Sequence, residues 1–194
     1  MEIEAVPEPS EALLVAHRSG EPHAFRELVS RYRRPVYGYL VRCSVSEADR
    51  DDLFQEIFIK IHQRAHQYDA SRPLHPWLFT VVANTVRTYQ RKERVRRIFV
   101  RPPEEHDSES IADGAPDGEA LFAAKETKSW LERAIRALPV PQREALVLAT
   151  IEKLPLQDIA SALDMPLSTV KTHVRRARLR LIEAYERRTR ARHD

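Results

Sequence analysis

The sequence predicts an all-α protein: two small helical domains joined by a flexible acidic linker, the C-terminal one a helix-turn-helix. Three observations carry that expectation. Apolar residues recur at helical spacing through most of the 194 residues. Glycine is scarce, at 4 residues, and aromatics are only 7%, which disfavours a glycine-punctuated β-sandwich or a glycine-rich nucleotide loop. The stretch RPPEEHDSESIADGAPDGEA holds three of the 13 prolines and two of the 4 glycines, a composition too poor in apolar groups to offset chain ordering. The organisation expected is therefore an N-terminal segment with a short helix (1–21), a first domain (22–100), the linker (101–124) and a second domain (125–194).

Composition narrows the setting. At 42% hydrophobic the chain can build a core, yet no apolar run approaches the roughly 20 residues of a membrane span. The acidic start MEIEAVPEPSE lacks the basic-then-apolar order of a secretory signal. With one cysteine, Cys43, no internal disulfide or multi-cysteine zinc site can form, and a cysteine among apolar neighbours reads as a small buried side chain. We expect a soluble cytoplasmic protein without membrane insertion.

The elements follow in order. Ser10 can cap a short helix that Gly20 ends. Phe25, Leu28, Val29 and Tyr32 begin a second helix, in which Pro35 should introduce a kink or a restart. Ser46 and Asp49 resemble a capping box for a helix EADRDDLFQEIFIKIHQRA. YDASRPLHP, with its two prolines, reads as a loop before a helix striped by Trp77, Leu78, Val81, Val82, Thr85 and Val86. On that stripe Trp77 reads as a core residue. Downstream, Trp130, Leu131, Ala134, Ile135 and Leu138 mark a helix broken by Pro139, and Pro141 suits the first turn of the next. LQDIASAL, a turn of Asp164, Met165 and Pro166, and a long basic helix complete a helix-turn-helix pattern.

Charge is segregated along the chain. Arg87, Arg91, Lys92, Arg94, Arg96, Arg97 and Arg101 face one acid, Glu93; residues 102–120 then carry acids and no Lys or Arg; 171–192 is basic again. Two basic stretches on two modules point to two polyanion-binding surfaces. In the last helix, Val170, Val174, Ala177 and Leu181 form a narrow stripe that should pack on Ile159, Ala160 and Leu163. The opposite side presents Ser168, Thr172, Arg175 and Arg176, flanked by Thr169, Lys171 and Arg178, a set suited to base edges and phosphates in a major groove. Around the first basic run, Tyr68, Phe79, Tyr89 and Asn84 add the rings and amide that suit opened strands. In DDLFQEIFIKIH, Leu53, Ile57 and Ile61 can face the core while Asp52, Gln55 and Glu56 project outward. Phe54 and Phe58 exceed what a solvated face needs and suggest a protein partner. HQRAH places His62 and His66 at metal-binding spacing but has Gln63 where a zinc hydrolase has glutamate, so neither metal nor cofactor is expected.

In this order and spacing, DDLFQEIFIKIH, PWLFTVVANTVRTYQRK and LPLQDIASALDMPLSTVKTHVRRARLRL resemble the extracytoplasmic-function (ECF) sigma factors, the smallest class of the bacterial sigma-70 family. The resemblance spans about 22–100 and 125–185 and implies a non-catalytic, dissociable specificity subunit of RNA polymerase. It implies that Asp52, Gln55 and Glu56 contact the β′ clamp helices of core polymerase, and that the second domain touches the β flap. It implies a −10 surface of Tyr68, Phe79, Asn84, Arg87, Arg91 and Lys92, and a −35 surface of Ser168, Thr169, Lys171, Thr172, Arg175, Arg176 and Arg178. A cognate anti-sigma factor is a further implied partner. In EKLPLQDIA, Lys153 and Pro155 stand where relatives often carry Gly and Ser or Thr. Two other readings stay open: a regulator binding duplex DNA alone, which has no need of DDLFQE, and a sigma mimic that sequesters an anti-sigma factor.

Overall fold

Helical periodicity becomes eight α-helices and no strand within residues 9–99 and 118–190, the part of the chain that the computed structural model describes. The first residues of the expected N-terminal segment and most of the expected linker, with Arg101 of the first basic run, lie outside those bounds.

The first unit holds α1 (Ser10–Arg18), α2 (Pro22–Arg42), α3 (Glu47–Arg64), a single 3-10 turn (Ala65–Gln67) and α4 (Leu74–Phe99). Gly20, at φ 93°, ends α1 in the left-handed region that costs glycine nothing. Short as it is, α1 belongs to this unit: Glu11 accepts the Leu74 backbone N–H at 3.0 Å, satisfying an orphan donor at the start of α4. The helix does not restart at Pro35, because α2 runs through it. Its missing N–H removes one helical bond, while Tyr32, Val36 and Tyr39, buried on either side of it, hold both halves on the same core. Ser46 is the N-cap of α3, but its hydroxyl bonds the Asp49 carboxylate rather than a backbone N–H.

The second unit holds α5 (Gly118–Arg136), α6 (Val140–Thr150), α7 (Leu156–Ala162) and α8 (Leu167–Arg190). Helix α5 begins inside the stretch expected to be linker. Pro141 lies in the first turn of α6, where a missing N–H is harmless. The α8 stripe packs as expected: Val170, Val174 and Ala177 are buried, against α7 and, at Ala177, also against Leu138 just before α6 and Leu146 within it. Lys153 adopts φ 54°, so the position where relatives often carry glycine does demand the left-handed region.

The two units are docked. Helix α4 lies along α7, and the end of α2 meets α5 and α6. Arg143, only 6% exposed, bridges the boundary: Nη1 donates to Ser44 Oγ at 3.0 Å and to the Arg136 carbonyl at 2.7 Å, and Nη2 to the Cys43 carbonyl at 3.3 Å. Arg87 of α4 donates to the Leu163 carbonyl after α7, and His75 meets the Glu152 carbonyl at 3.1 Å. Cys43 is buried at this boundary, as expected, and burial pushes its thiol up to about 12.

Burial also pushes the carboxyls of Glu144 and Glu152 up, each to about 7; Arg87 and Arg143 pull against this at the first, and Arg42 at the second. Tyr39 and Cys43 of the α2 segment and His75 of α4 are the other titratable groups turned toward them. The docked chain thus holds protons on both glutamates that separated, solvated units would release above the ordinary value of 4.5. Docking is favoured at the low end of that window and weakens as pH rises through about 7. His75, kept neutral by burial, works the other way, but only below its ordinary 6.5. Docking should therefore weaken between about pH 4.5 and about pH 7 and change little above that, read as a fall in the sedimentation coefficient over that window. Glu144→Gln with Glu152→Gln should abolish that fall; an unchanged pH profile would remove these carboxyls from the account.

Candidate nucleic-acid interface

Helix α8 presents a basic side because its other side is locked. With Val170, Val174 and Ala177 buried, helical geometry turns Ser168, Lys171, Thr172, Arg175, Arg176 and Arg178 to solvent, and all six are exposed; Thr169 is half-buried. Thr172 bonds back to the Ser168 carbonyl at 2.9 Å, which steadies its rotamer and leaves its hydroxyl oxygen able to accept. Leu156, at the start of α7, joins Lys171, Val174, Arg175, Arg178 and Leu179 in a shallow groove with basic rims and an apolar floor. The arrangement can place several guanidiniums against one groove of a duplex.

Helix α4 is divided by the same geometry. Leu78, Val82 and Val86 are buried. On one flank Tyr89 donates to Asp49 at 2.7 Å and Gln90 to the Cys43 carbonyl at 3.0 Å, tying the helix to α3 and to the end of α2. Hydrogen bonds from Ser46 and then Tyr89 hold the Asp49 carboxyl below the usual carboxylate range. Asn84 and Arg87, half-buried, and the exposed Arg91 share the other flank, with exposed Lys92 beside it. That flank faces α7, through the bond from Arg87 to Leu163.

Two rings expected at the −10 surface are placed elsewhere. Phe79 is fully buried, edge-on to Tyr39 at 5.9 Å, so its faces are occupied by the core. Tyr68 is buried too: its hydroxyl donates to the Arg72 carbonyl and its ring leans on Trp77 at 5.3 Å. Trp77, expected in the core, is the half-exposed member of that pair. The expected loop YDASRPLHP ends earlier than its prolines suggest: α4 already begins at Leu74, with Pro76 in its first turn.

On α3, Asp52, Gln55 and Glu56 are exposed together, with Glu56 paired to Lys60 at 2.5 Å. Phe54 and Phe58, expected to meet a partner, are buried: Phe54 packs on Tyr37 at 4.7 Å, and Phe58 on Phe54 at 4.7 Å and Phe25 at 6.3 Å. Helix α2 covers a second side of α3, which a single core-facing stripe does not anticipate. The exposed apolar group is instead Ile59, at 54%, one turn beyond Gln55 and Glu56. Nothing local marks it, since it simply extends the apolar pair Ile57–Phe58. His62 contacts His17 at 2.9 Å.

Comparison with known proteins fits this geometry. The Sigma-70 region 2 family matches residues 28–96, within the first unit, and the Sigma-70, region 4 family matches 128–181, within the second. The ECF RNA polymerase sigma-E factor of Haemophilus influenzae is 31% identical over 179 residues, covering 87% of this chain and 90% of that one. The chain belongs to the ECF sigma factors of the sigma-70 family. The RNA polymerase sigma factor NccH of Alcaligenes xylosoxydans is 27% identical over 175 residues, 90% of this chain and 94% of its own. The fold is shared with the sigma factor RpoE of Bartonella quintana, solved in complex with the anti-sigma factor NepR: TM-score 0.63, 23% identity, 84% of this chain and 96% of that chain. This sigma factor is thus an alternative initiation specificity factor that recognises promoters for RNA polymerase. Among its described residues no helix is long and apolar enough to cross a membrane.

Each surface carries a distinct chemistry, and the exposed acids of α3 give the simplest handle on it. A patch of Asp52, Gln55 and Glu56 around one apolar side chain offers hydrogen-bond acceptors without a basic partner of its own beyond Lys60. Changing Gln55 and Glu56 to Ala together should weaken association with core polymerase and leave helicity intact. An unchanged core-binding titration would exclude the patch.

Proposed function

We propose that this sigma factor is a non-catalytic subunit acting in the cytoplasm, whose residues 22–100 bind core polymerase and the −10 element and whose residues 125–194 read the −35 element. The observation that carries the reading is α8, where six of the seven side chains assigned to −35 stand exposed over a buried stripe. Arg175 and Arg176 are the candidates for paired hydrogen bonds to base edges; Ser168, Thr169, Lys171, Thr172 and Arg178 supply phosphate and further base contacts. On α4, Asn84 is the group for a captured −10 base, with Arg87, Arg91 and Lys92 holding the backbone. On α3, Asp52, Gln55 and Glu56, with Ile59 among them, form the surface for the β′ clamp helices, and the second domain meets the β flap. An anti-sigma factor is the inferred regulator, in line with the complex that the Bartonella relative forms.

Transcription in vitro with core polymerase, with start sites mapped across a genome, tests the whole reading, because a duplex-only regulator directs none. Within it, Arg175→Ala or Arg176→Ala should each cost about 1–3 kcal/mol of promoter binding and relax preference at one −35 position. A loss equal across all −35 sequences would assign that residue to phosphate.

Strand opening tests α4. Asn84→Ala in the holoenzyme should impair permanganate-detected opening at −10 while core binding and −35 duplex binding persist, because those surfaces lie on α3 and α8. A premelted −10 template should restore only part of the activity, since melting is then supplied but the base still lacks its partner. Opening at the wild-type level would refute the role given to Asn84.

A further inference from the structure

The sequence sets His62 beside His66, but His66 falls in the 3-10 turn after α3, and the imidazole that reaches His62 comes instead from His17 in the last turn of α1. His17 Nε2 and His62 Nδ1 face each other at 2.9 Å, with ring centroids 5.0 Å apart. We propose that this pair is a two-imidazole site for a divalent transition metal of the zinc, nickel or copper kind, and that the metal pins α1 to α3.

The geometry is close to that of a chelate. Metal–nitrogen bonds of about 2.0–2.1 Å at a tetrahedral angle set two ligand nitrogens roughly 3.3–3.4 Å apart, so the rings have to part by only about half an ångström. Phe25 of α2 packs on both rings, at 4.5 Å from His17 and 5.7 Å from His62, and keeps either imidazole from swinging away. Protons balance through tautomers alone. In the present contact one facing nitrogen donates and the other accepts. Moving that proton to the far nitrogen of its own ring aims two lone pairs at one point, and nothing is oxidised or reduced. His17 Nδ1 and His62 Nε2 make no hydrogen bond among the described residues, so the shift breaks no other contact. Burial, and then the neighbouring His62, hold His17 below the usual histidine value, which favours the neutral ring that a metal needs.

Imidazole suits zinc, nickel and copper rather than magnesium or calcium. Among the described residues no group of three His, Cys, Asp or Glu ligands forms, so water fills the remaining positions and binding is moderate and reversible. The pin has something to hold. Arg18, next to His17, donates to the Tyr68 carbonyl at 3.2 Å, and Glu11 in the first turn of α1 accepts from the Leu74 N–H at 3.0 Å. Fixing α1 on α3 therefore fixes both supports of the segment that leads into α4.

The test uses the full chain, without an affinity tag and stripped with EDTA, titrated with Ni²⁺ or Zn²⁺ alone at about pH 7.5, where ordinary imidazoles are neutral. Calorimetry should find one site, and hydrogen exchange at the Leu74 amide should slow on loading. His17→Gln and His62→Gln should each weaken that site about tenfold or more, whereas His66→Gln should leave it unchanged. Circular dichroism checks that the variants keep their helices. The ring signals of His17 and His62 in the wild type, which Ni²⁺ should broaden, locate the site without any substitution. Loss in His66→Gln with His17→Gln unaffected would move the metal to HQRAH and overturn the proposal. Affinity no better than about millimolar would overturn it too, as would a bound metal that leaves Leu74 exchange unchanged, since α1 would then not be held. None of these outcomes bears on promoter recognition, which the transcription assay tests separately.

Discussion

A helix completes a turn every 3.6 residues, and α4 has to divide that limited circumference among more claims than any other element of the chain. One arc, with Leu78, Val82 and Val86, closes the core of the first unit. A second, with Tyr89 and Gln90, braces α3 and the end of α2. The remaining arc carries Asn84, Arg87 and Arg91, and Arg87 meets the neighbouring unit at the Leu163 carbonyl. Side chains cannot be moved from one arc to another without slipping the core, so the place of Arg87 is fixed by periodicity rather than by the chemistry of arginine. The position of α7, and through it of α8, follows from how that arc is used.

The boundary between the units adds to the way the cores are made. Aliphatic and aromatic contacts run in one continuous cluster through both units, and they gain from every apolar group taken out of water. Beside that cluster Arg143, Glu144 and Glu152 are buried as well. Burying charge is costly, and the Coulombic return seldom exceeds the desolvation cost. Those polar groups add little adhesion of their own, but they help to specify one register of the two units.

The helices and their ends were legible because their signals are local. Spacing, prolines and caps lie within a few residues of the structure they dictate, and the helix-turn-helix from Leu156 onward follows its pattern nearly residue for residue. The exposed face of α8 was legible for the same reason: one clear apolar stripe defines its opposite. What the sequence did not disclose depends on neighbours distant along the chain. Phe54 and Phe58 look surplus until α2 covers them, and Ile59 looks internal until it does not. Phe79 falls outside the stripe of Trp77, Leu78, Val81 and Val82 yet turns into the core. Arg143 and Glu144 read as surface residues, and nothing near them in sequence hints at Cys43 or Ser44, about a hundred positions earlier.

The placement of Cys43 has a practical side. It is the single cysteine of the chain, sealed where the two units meet, and its thiol is held so far above neutrality that almost no thiolate exists to react. Oxidants and alkylating reagents act on the thiolate, so modification has to wait for a fluctuation that admits water to the boundary. The rate of labelling then counts those fluctuations, much as amide exchange counts local unfolding. The chain carries its own chemical clock for the frequency with which its halves come apart.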